Sequence, residues 1–262
     1  MSVPNLESKL QDRPILTAVE MLAHRRQRSH RLDFPPPEAV MLCYQSAWVD
    51  RVIQTGVVRK SGGFIGDLHL LKKTRGKIAI ASGFGIGAPV VAALMEEFVA
   101  FGVRRFLSIG LAGALQSGLN AGDLVVCTRA LRDEGTSHHY LPDSKYASAS
   151  ETMIAALRRA LDAGGRRYTL GTSWTTDAPY RETRGEVEQY RSEQVQTVEM
   201  EAAALFAVGQ RLGVQVGAAF VIGDTLDGLR WRIDFDARAA ERGWRILFDA
   251  AVVALGDLIE SK

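Results

Sequence analysis

The stretch from residue 77 to residue 101, KIAIASGFGIGAPVVAALMEEFVAF, contains the pattern that decides the fold. Its first part, Lys77–Ser82, is a short apolar run typical of a strand buried on both faces. A glycine-rich turn follows, and Pro89–Phe101 then repeats apolar residues at four-residue spacing, with Pro89 suited to the first turn of a helix. The stretch therefore predicts a strand, a tight turn and a helix.

The same alternation continues on both sides of this stretch. Short apolar runs predict further strands, and amphipathic runs predict further helices. Strands are expected at Ala39–Tyr44, Arg105–Gly110, Asp123–Ala130, Tyr168–Trp174 and Val216–Ile222, with a hairpin over Ser61–Leu71. Helices are expected at Thr152–Ala163, Ala202–Leu212 and Asp236–Ile259. Alternating strands and helices predict one α/β domain around a mixed or mostly parallel sheet.

Three consecutive prolines, residues 35–37, mark the clearest break in composition, because prolines cannot continue a helix. They separate a basic, helical extension of residues 1–34 from a domain of residues 35–262. The extension carries His24, Arg25, Arg26, Arg28, His30 and Arg31. Its basic face is interpreted as solvated, and a contact with nucleic acid or with a partner subunit is the alternative.

Composition excludes several classes of protein. With 262 residues, 47% hydrophobic and 24% charged, the chain can bury a sizeable core. A net charge of +2 gives no electrostatic case for nucleic acid as the main partner. No apolar run reaches the roughly 20 residues of a membrane span, and the first residues lack the apolar core of a signal peptide. Cys43 and Cys127 lie in separate apolar runs, so we expect no disulfide and a cytoplasmic location.

The turn Gly83–Ala88 could hold an anion on its backbone N–H groups or serve only as a tight turn. Its spacing loosely resembles a dinucleotide fingerprint, which requires an acidic residue about 20 positions later. The next strand ends with Ser108–Gly113 and has no Asp or Glu there. A dinucleotide cofactor is therefore disfavoured. No CxxC or HExxH spacing supports a metal site either.

Two acidic sites follow predicted strands, where ligands bind in sheets of this kind. Glu199-Met200-Glu201 opens an alanine-rich helix, and Asp224 comes directly after a buried strand. Both acids could simply cap helices. Alternatively, Glu201 accepts hydrogen bonds from a sugar diol while Met200 packs on the sugar, and Asp224 acts as a general acid. Such a pair of acids suits chemistry on an O- or N-glycosidic bond.

Five segments in order resemble the nucleoside phosphorylase/nucleosidase superfamily. They are Ser82–Pro89, Phe106–Asp123, Asp133–Pro142, Val198–Ala203 and Val221–Thr225. The resemblance implies a single-domain, three-layer α/β/α fold with a central mixed β-sheet. It also implies an enzyme that needs no cofactor, and a symmetric homo-oligomer, either a dimer or a trimer of dimers, with sites at subunit boundaries.

The resemblance also implies roles for individual residues. Glu201, with Met200 and Glu199, matches the ribose-binding segment, and Asp224 matches the aspartate that protonates a purine base at N7. The resemblance assigns Ala112, Gly113, Pro179, Tyr180, Val198 and Asp224 to the base site. Alignment puts Pro179 nearer the position of the stacking aromatic residue, although Tyr180 suits stacking better.

The nucleophile site departs from the family pattern. Ser108 stands where related phosphorylases carry a phosphate-binding arginine, and Gly62 stands where a neighbouring subunit normally contributes one. Arg51 is the arginine that remains in the loop near the N-terminus, and Gly85 and Gly87 still offer backbone N–H groups. We therefore assign Gly85, Gly87, Arg51 and Ser108 to a phosphate or water site.

The expected reaction is phosphorolysis of a nucleoside, preferably a purine nucleoside, to the free base and pentose 1-phosphate. Inorganic phosphate is then a co-substrate, and no nucleic acid, membrane or metal takes part. Hydrolysis by water is the alternative, because phosphate binding needs charge-assisted donors. A nucleoside-binding protein without catalysis is the third possibility. His138 and His139 are expected in a loop at the pocket rim, and His30 of a neighbour could touch the ribose.

Overall fold

The computed structural model describes residues 6–27, 34–55, 58–61, 64–226 and 237–261. Within these ranges the strands are β1 Ala39–Cys43, β2 Val58–Ser61, β3 Asp67–Leu71, β4 Ile78–Ser82, β5 Arg105–Ala114, β6 Leu124–Asp133, β7 Tyr146–Ser148, β8 Thr169–Thr176, β9 Val195–Glu199 and β10 Gln215–Thr225. The α-helices are α1 Ala18–Gln27, α2 Ser46–Gln54, α3 Ala88–Phe101, α4 Glu151–Ala163, α5 Arg184–Ser192, α6 Ala202–Leu212 and α7 Ala237–Glu260.

The strands form one mixed sheet that partly closes on itself. Its order is β10-β6-β8-β9-β5-β1-β4-β3-β2, and β10 pairs in addition with β5. Strands β5, β10, β6, β8 and β9 therefore form a ring, from which β1, β4, β3 and β2 extend as an open sheet. Five pairs are parallel: β1–β4, β1–β5, β5–β10, β6–β8 and β8–β9. Five are antiparallel: β2–β3, β3–β4, β5–β9, β6–β7 and β6–β10.

Successive residues of the central strands point into two separate cores. On β1, Val40 and Leu42 pack with α3 and α6, whereas Met41 packs on the other face with α4 and α7. Side chains alternate in this way along a strand, so apolar residues at every position require helices on both faces. The expected α/β class and the three-layer α/β/α arrangement around a mixed sheet are both confirmed.

The expected elements match the observed ones in type, with small shifts at their ends. The predicted strand at Arg105–Gly110 continues to Ala114, because its glycines stay extended and pair with β10. The hairpin expected over Ser61–Leu71 is present as antiparallel β2 and β3. Helices α2 and α5 were not expected, and both are short and polar on their exposed sides.

The N-terminal segment packs against the helical layer. Leu22 of α1 is buried, and the Arg25 guanidinium donates to both carboxylate oxygens of Glu97 on α3 at 2.6 and 2.7 Å. Arg28, His30 and Arg31 of the basic face lie outside the described residues. The division of the chain at residue 34 stays a prediction. In the described part of the chain, no helix combines the length and apolar character needed to cross a bilayer.

Close packing of α6 on β10 predicts that a larger residue in place of Gly209, a glycine within α6, destabilises the protein. A methyl group added at Gly209 would overlap the side chain of Val216, which is β-branched and buried. We expect Gly209→Ala to lower the free energy of unfolding by about 1–3 kcal/mol, because Val216 cannot rotate away. Urea denaturation measures this.

Gly256→Ala in α7 is the matched control, since nothing lies within 4 Å of its added methyl group. Its helix propensity should raise stability by about 0.5–1 kcal/mol. Equal effects of the two substitutions would contradict the packing argument.

Candidate active site

Two adjoining cavities open beside the carboxyl ends of β5, β9 and β10. The larger, of about 490 Å³, is lined by Leu111, Ala112, Gly113, Pro179, Tyr180, Glu182, Val198, Glu199, Met200, Gly223, Asp224 and Leu226. The smaller, of about 130 Å³, is lined by Tyr44, Gln45, Ile86, Gly110, Leu111, Glu199, Met200, Glu201 and Phe220. Because Leu111, Glu199 and Met200 border both cavities, the two form adjacent parts of one site.

Glu201 stands at the smaller cavity, held by the glycine-rich turn. It occupies the position before α6, yet its side chain makes no capping hydrogen bond to that helix. Instead, the Gly87 N–H donates to Glu201 Oε1 at 2.5 Å. Gly87 has a φ of 101°, a conformation that favours glycine, so the turn can aim this N–H at the carboxylate. The capping alternative for the Glu201 side chain is therefore wrong.

Glu199 is buried and saturated with hydrogen bonds. Its Oε2 accepts from the N–H groups of Glu201 and Ala202 at 2.8 and 2.7 Å. Its Oε1 accepts from the hydroxyls of Thr175 and Ser173 at 2.5 and 3.2 Å. The carboxylate thus caps the N-terminus of α6 and joins it to β8. Glu199 holds the strand–helix junction on which Glu201 stands.

Burial makes both glutamates bind protons more tightly. Desolvation, followed by the charge of Glu199, raises the pKa of Glu201 to about 8. Desolvation also raises the pKa of Glu199, although its four donors act in the opposite direction. A ligand that donates hydrogen bonds to Glu201 favours the ionised form. Further donors placed at Glu201 would therefore lower its pKa from about 8.

Tyr44 fills the wall of the smaller cavity. Its hydroxyl lies 3.2 Å from Ser108 Oγ, and its ring meets Phe84 edge-on. A methyl group on Gly110 would approach the Tyr44 ring to 3.0 Å, so the glycine leaves room for that ring. Burial and the charge of Glu201 raise the pKa of Tyr44 well above its ordinary range, so the phenol stays neutral.

Asp224 belongs to the larger cavity. It lies inside β10, just after a bulge, so it does not cap a helix as one interpretation of the sequence held. It pairs with Gly113 of β5, where an added methyl group would lie 3.4 Å from Asp224 Oδ1 and 3.1 Å from Val198 Cγ1. Glycine at this position keeps open the space between Asp224 and β9.

The outer wall of the larger cavity comes from the segment between β8 and α5. Pro179 and Tyr180 lie there in a short 3-10 helix, and the Tyr180 side chain is fully exposed. Glu182 follows at the end of that helix and is half-buried. Desolvation, then the charges of Asp224 and Glu186, raise the pKa of Glu182 to about 7.

The residues assigned to a phosphate or water site are not gathered at either cavity. Ser108 is buried and bonded to Tyr44, and Gly87 donates to Glu201. Gly85 is exposed. Arg51 forms an ion pair with Glu241 on α7 and lines neither cavity. Their assignment stays a prediction, and Gly62 lies outside the described residues.

The sequence reasoning missed Tyr44, Gln45 and Glu182. Tyr44 and Gln45 come directly after buried β1, so the rule that ligands bind beyond strand ends could have found them. Glu182 carries no such signal. His138 and His139 line neither cavity; they lie in the 3-10 helix Ser137–His139, where Lys9 Nζ is 2.7 Å from His139 Nδ1.

No metal site emerges from the residues that the structure describes. Among them, no group of three or more His, Cys, Asp or Glu side chains is placed to hold a metal ion. The acids at the two cavities instead face hydrogen-bond donors and each other.

The cleft at the strand ends has two parts. Paired glutamates at a strand–helix junction, one of them bonded to a glycine-rich turn, border the smaller part, and an aspartate two strands away borders the larger. The sequence model of the phosphorylase superfamily matches residues 49–251, and the chain belongs to that superfamily.

The chain is similar to curated nucleoside phosphorylases. It is 32% identical over 156 residues to uridine phosphorylase of Haemophilus influenzae, covering 54% of this chain and 62% of that one. It is 33% identical over 159 residues to guanosine phosphorylase of Halorubrum lacusprofundi, covering 60% and 66%. The matches thus span less than two thirds of either relative.

Solved structures share the fold. AMP nucleosidase from Bacteroides thetaiotaomicron superposes with a TM-score of 0.73 at 23% identity, over 94% of this chain and 100% of that one. The P. knowlesi homologue of P. falciparum PNP superposes with a TM-score of 0.70 at 24% identity, over 84% and 90%.

The buried network predicts that Thr175 stabilises the site. Its hydroxyl donates to Glu199 and accepts from the Ala203 N–H at 2.9 Å. Thr175→Val keeps the shape but removes one of the two hydroxyl donors to Glu199 Oε1 and the acceptor of the Ala203 N–H, so we expect a loss of about 1–3 kcal/mol in unfolding free energy. Chemical denaturation at neutral pH measures it.

Thr169→Val on the same strand is the control, because the Thr169 hydroxyl makes no hydrogen bond to another described residue. It should leave stability nearly unchanged. A comparable loss in both variants would mean that the Glu199 network adds nothing.

Proposed function

We propose that this protein cleaves the N-glycosidic bond of a purine nucleoside, with phosphate as the acceptor of the pentose. The single observation that carries the proposal is the placement of Glu201 and Asp224 in adjoining cavities with a common wall. A pentose beside Glu201 can hold its base beside Asp224. The larger cavity also falls within the 300–1,000 Å³ common for small-molecule sites.

Glu201 binds the sugar. Two vicinal hydroxyls donate to its carboxylate, and these hydrogen bonds favour ionisation of a group whose pKa is otherwise about 8. Met200, which borders both cavities, packs on the apolar face of the pentose. The charge of Glu201 then lies near the sugar as oxocarbenium character develops, where it stabilises the transition state.

Asp224 acts as the general acid for the departing base. The bond between the anomeric carbon and the base nitrogen breaks, and its electron pair goes to the base. Asp224 gives a proton to the base, which makes it a better leaving group. Tyr180 and Pro179 offer a surface against the base plane. The purine preference rests on Asp224, and the similarity to a guanosine phosphorylase supports it.

Phosphate is the proposed nucleophile, because the two relatives described above are named as phosphorylases. A phosphate oxygen forms the new bond to the anomeric carbon and gives pentose 1-phosphate. The glycine-rich turn borders the smaller cavity at Ile86, and its backbone N–H groups other than that of Gly87, which donates to Glu201, are the proposed donors to phosphate. We further propose a homo-oligomer in which a neighbouring subunit completes this site. We also propose a cytoplasmic location, because Cys43 and Cys127 are buried free thiols.

Hydrolysis is the second candidate, and the lining of the smaller cavity favours it. No Lys or Arg side chain borders that cavity among the described residues. Phosphate needs charge-assisted donors to leave water. Gln45 borders the same cavity, and its buried Oε1 accepts no hydrogen bond from the part of the chain that the structure describes. A water molecule could donate to that oxygen and attack the anomeric carbon instead.

Phosphate dependence tests these alternatives. Purified protein is incubated with a panel of nucleosides, with and without inorganic phosphate, and released base and sugar product are measured. We expect base release from purine nucleosides that requires phosphate and yields pentose 1-phosphate. Release of free pentose without phosphate would establish hydrolysis. Tight binding measured by calorimetry without base release would contradict both reactions.

Asp224→Asn tests the acid. The amide keeps the shape of the cavity but cannot supply the proton, so turnover of a purine nucleoside should fall about 10²–10⁴-fold. Steady-state kinetics measure it. Asp257→Asn, on an exposed position of α7, is the control and should behave like the wild type. Unchanged turnover in Asp224→Asn would remove Asp224 from the mechanism.

A further inference from the structure

The side chains around the larger cavity are mostly hydrogen-bond acceptors. Three carboxyl groups border it, and among the described residues the Tyr180 hydroxyl is the one neutral side-chain donor on its wall. The oxygens of Glu199 already accept four hydrogen bonds from the protein, so they are occupied. A base in this cavity therefore meets few side chains that could donate to its own oxygen atoms.

Glu182 is the carboxyl group of this wall that the protein leaves without a bond. In the part of the chain that the structure describes, its side chain takes part in no hydrogen bond or ion pair. It is half-buried, and the charges that act on it, those of Asp224 and Glu186, are both negative. An acceptor that is partly removed from water and has no partner gains from a ligand that brings an N–H group.

The backbone on both sides of Glu182 is fixed. Before it, the short 3-10 helix closes with the Arg181 N–H donating to the Ala178 carbonyl oxygen at 2.8 Å. After it, α5 begins with a capping box in which the Thr183 N–H donates to Glu186 Oε2 at 2.8 Å. The Glu182 side chain therefore starts from a rigid support, and little has to be ordered when a ligand donates to it.

We propose that Glu182 is a specificity residue that accepts a hydrogen bond from an exocyclic amino group of the base, so that aminopurine nucleosides are preferred to inosine, whose base carries no amino group. This inference rests on the proposed cleavage of a purine nucleoside. An oxygen atom of the base placed at Glu182 would face the carboxylate with no proton between them, which costs binding energy. The C6 amino group of adenosine and the C2 amino group of guanosine offer the same chemistry, and the test distinguishes them.

The test compares adenosine, guanosine and inosine as substrates of the wild type and of Glu182→Gln. Values of kcat and KM are measured at about pH 8, above the pKa of about 7 of Glu182, so that its carboxyl group is ionised. In the wild type, kcat/KM should be about tenfold higher on at least one aminopurine nucleoside than on inosine. A preference for adenosine assigns the contact to the C6 amino group, and a preference for guanosine assigns it to the C2 amino group.

The substitution should relax this preference from both sides. Glu182→Gln keeps the shape of the side chain but replaces one acceptor with an N–H donor. The amide can donate to the base oxygen of inosine, so kcat/KM on inosine should rise about threefold while that on the preferred aminopurine nucleoside falls. Loss of a purely structural contact cannot raise activity on one substrate, so the rise on inosine is the decisive result.

Two controls accompany the kinetics. Glu188→Gln makes the same chemical change on an exposed position of α5 and should keep the wild-type order of substrates. Binding of free adenine, guanine and hypoxanthine is measured by calorimetry, because it reports the contact without any turnover. The wild type should bind one aminopurine base about tenfold more tightly than hypoxanthine, and Glu182→Gln should not.

Each outcome decides between the two proposals. If the wild type cleaves all three nucleosides within about twofold of one another, the role of Glu182 is wrong while the proposed function stands. The same holds if Glu182→Gln keeps the wild-type preference or loses activity equally on every substrate. If the wild type cleaves no nucleoside, the proposed function fails, and the calorimetry alone then supports or overturns the contact between Glu182 and the amino group.

Discussion

The buried carboxylate of Glu199 is the constraint on which the site depends. It accepts two backbone N–H groups at the start of α6 and two hydroxyls from β8, so it fixes where strand β9 ends and the helix begins. A carboxyl group buried in this way is tolerated because each of its oxygens has two hydrogen-bond donors. Glu201 follows two residues later, so its position is inherited from this junction rather than from its own contacts alone.

The two ends of the cleft are held by different means. The Glu201 end is rigid: a glycine turn, the half-buried Tyr44 and the Glu199 network enclose it. The opposite end combines a strand residue, Asp224, with an outer wall built on a short 3-10 helix and an exposed Tyr180. The cleft thus joins a rigid end at Glu201 to a more open end at Asp224, where changes in the outer wall leave the Glu201 end unaltered.

The sequence predicted the layers well because buried strands and amphipathic helices leave clear periodic patterns, as in β1, β4 and α3. It singled out Glu201 and Asp224 because each stands at or near the carboxyl end of a buried strand. Helix α5 was missed, although Thr183 and Glu186 carry the spacing of a capping box. Contacts between distant segments left no local signal: Arg51 meets Glu241, and β9 and β10 meet opposite edges of β5.

The pairing of β9 and β10 with opposite edges of β5 sets the geometry of the candidate site. Gly113 on β5 has Val198 of β9 on one side and Asp224 of β10 on the other. Neighbouring strands lie about 4.8 Å apart, so the span from one acid-bearing strand to the other equals two strand spacings. Because the ring of strands is closed, sliding or splaying would break pairs elsewhere. The distance between the Glu201 end and the Asp224 end is therefore fixed by the sheet, and changes in the outer loops can reshape the larger cavity without altering that distance.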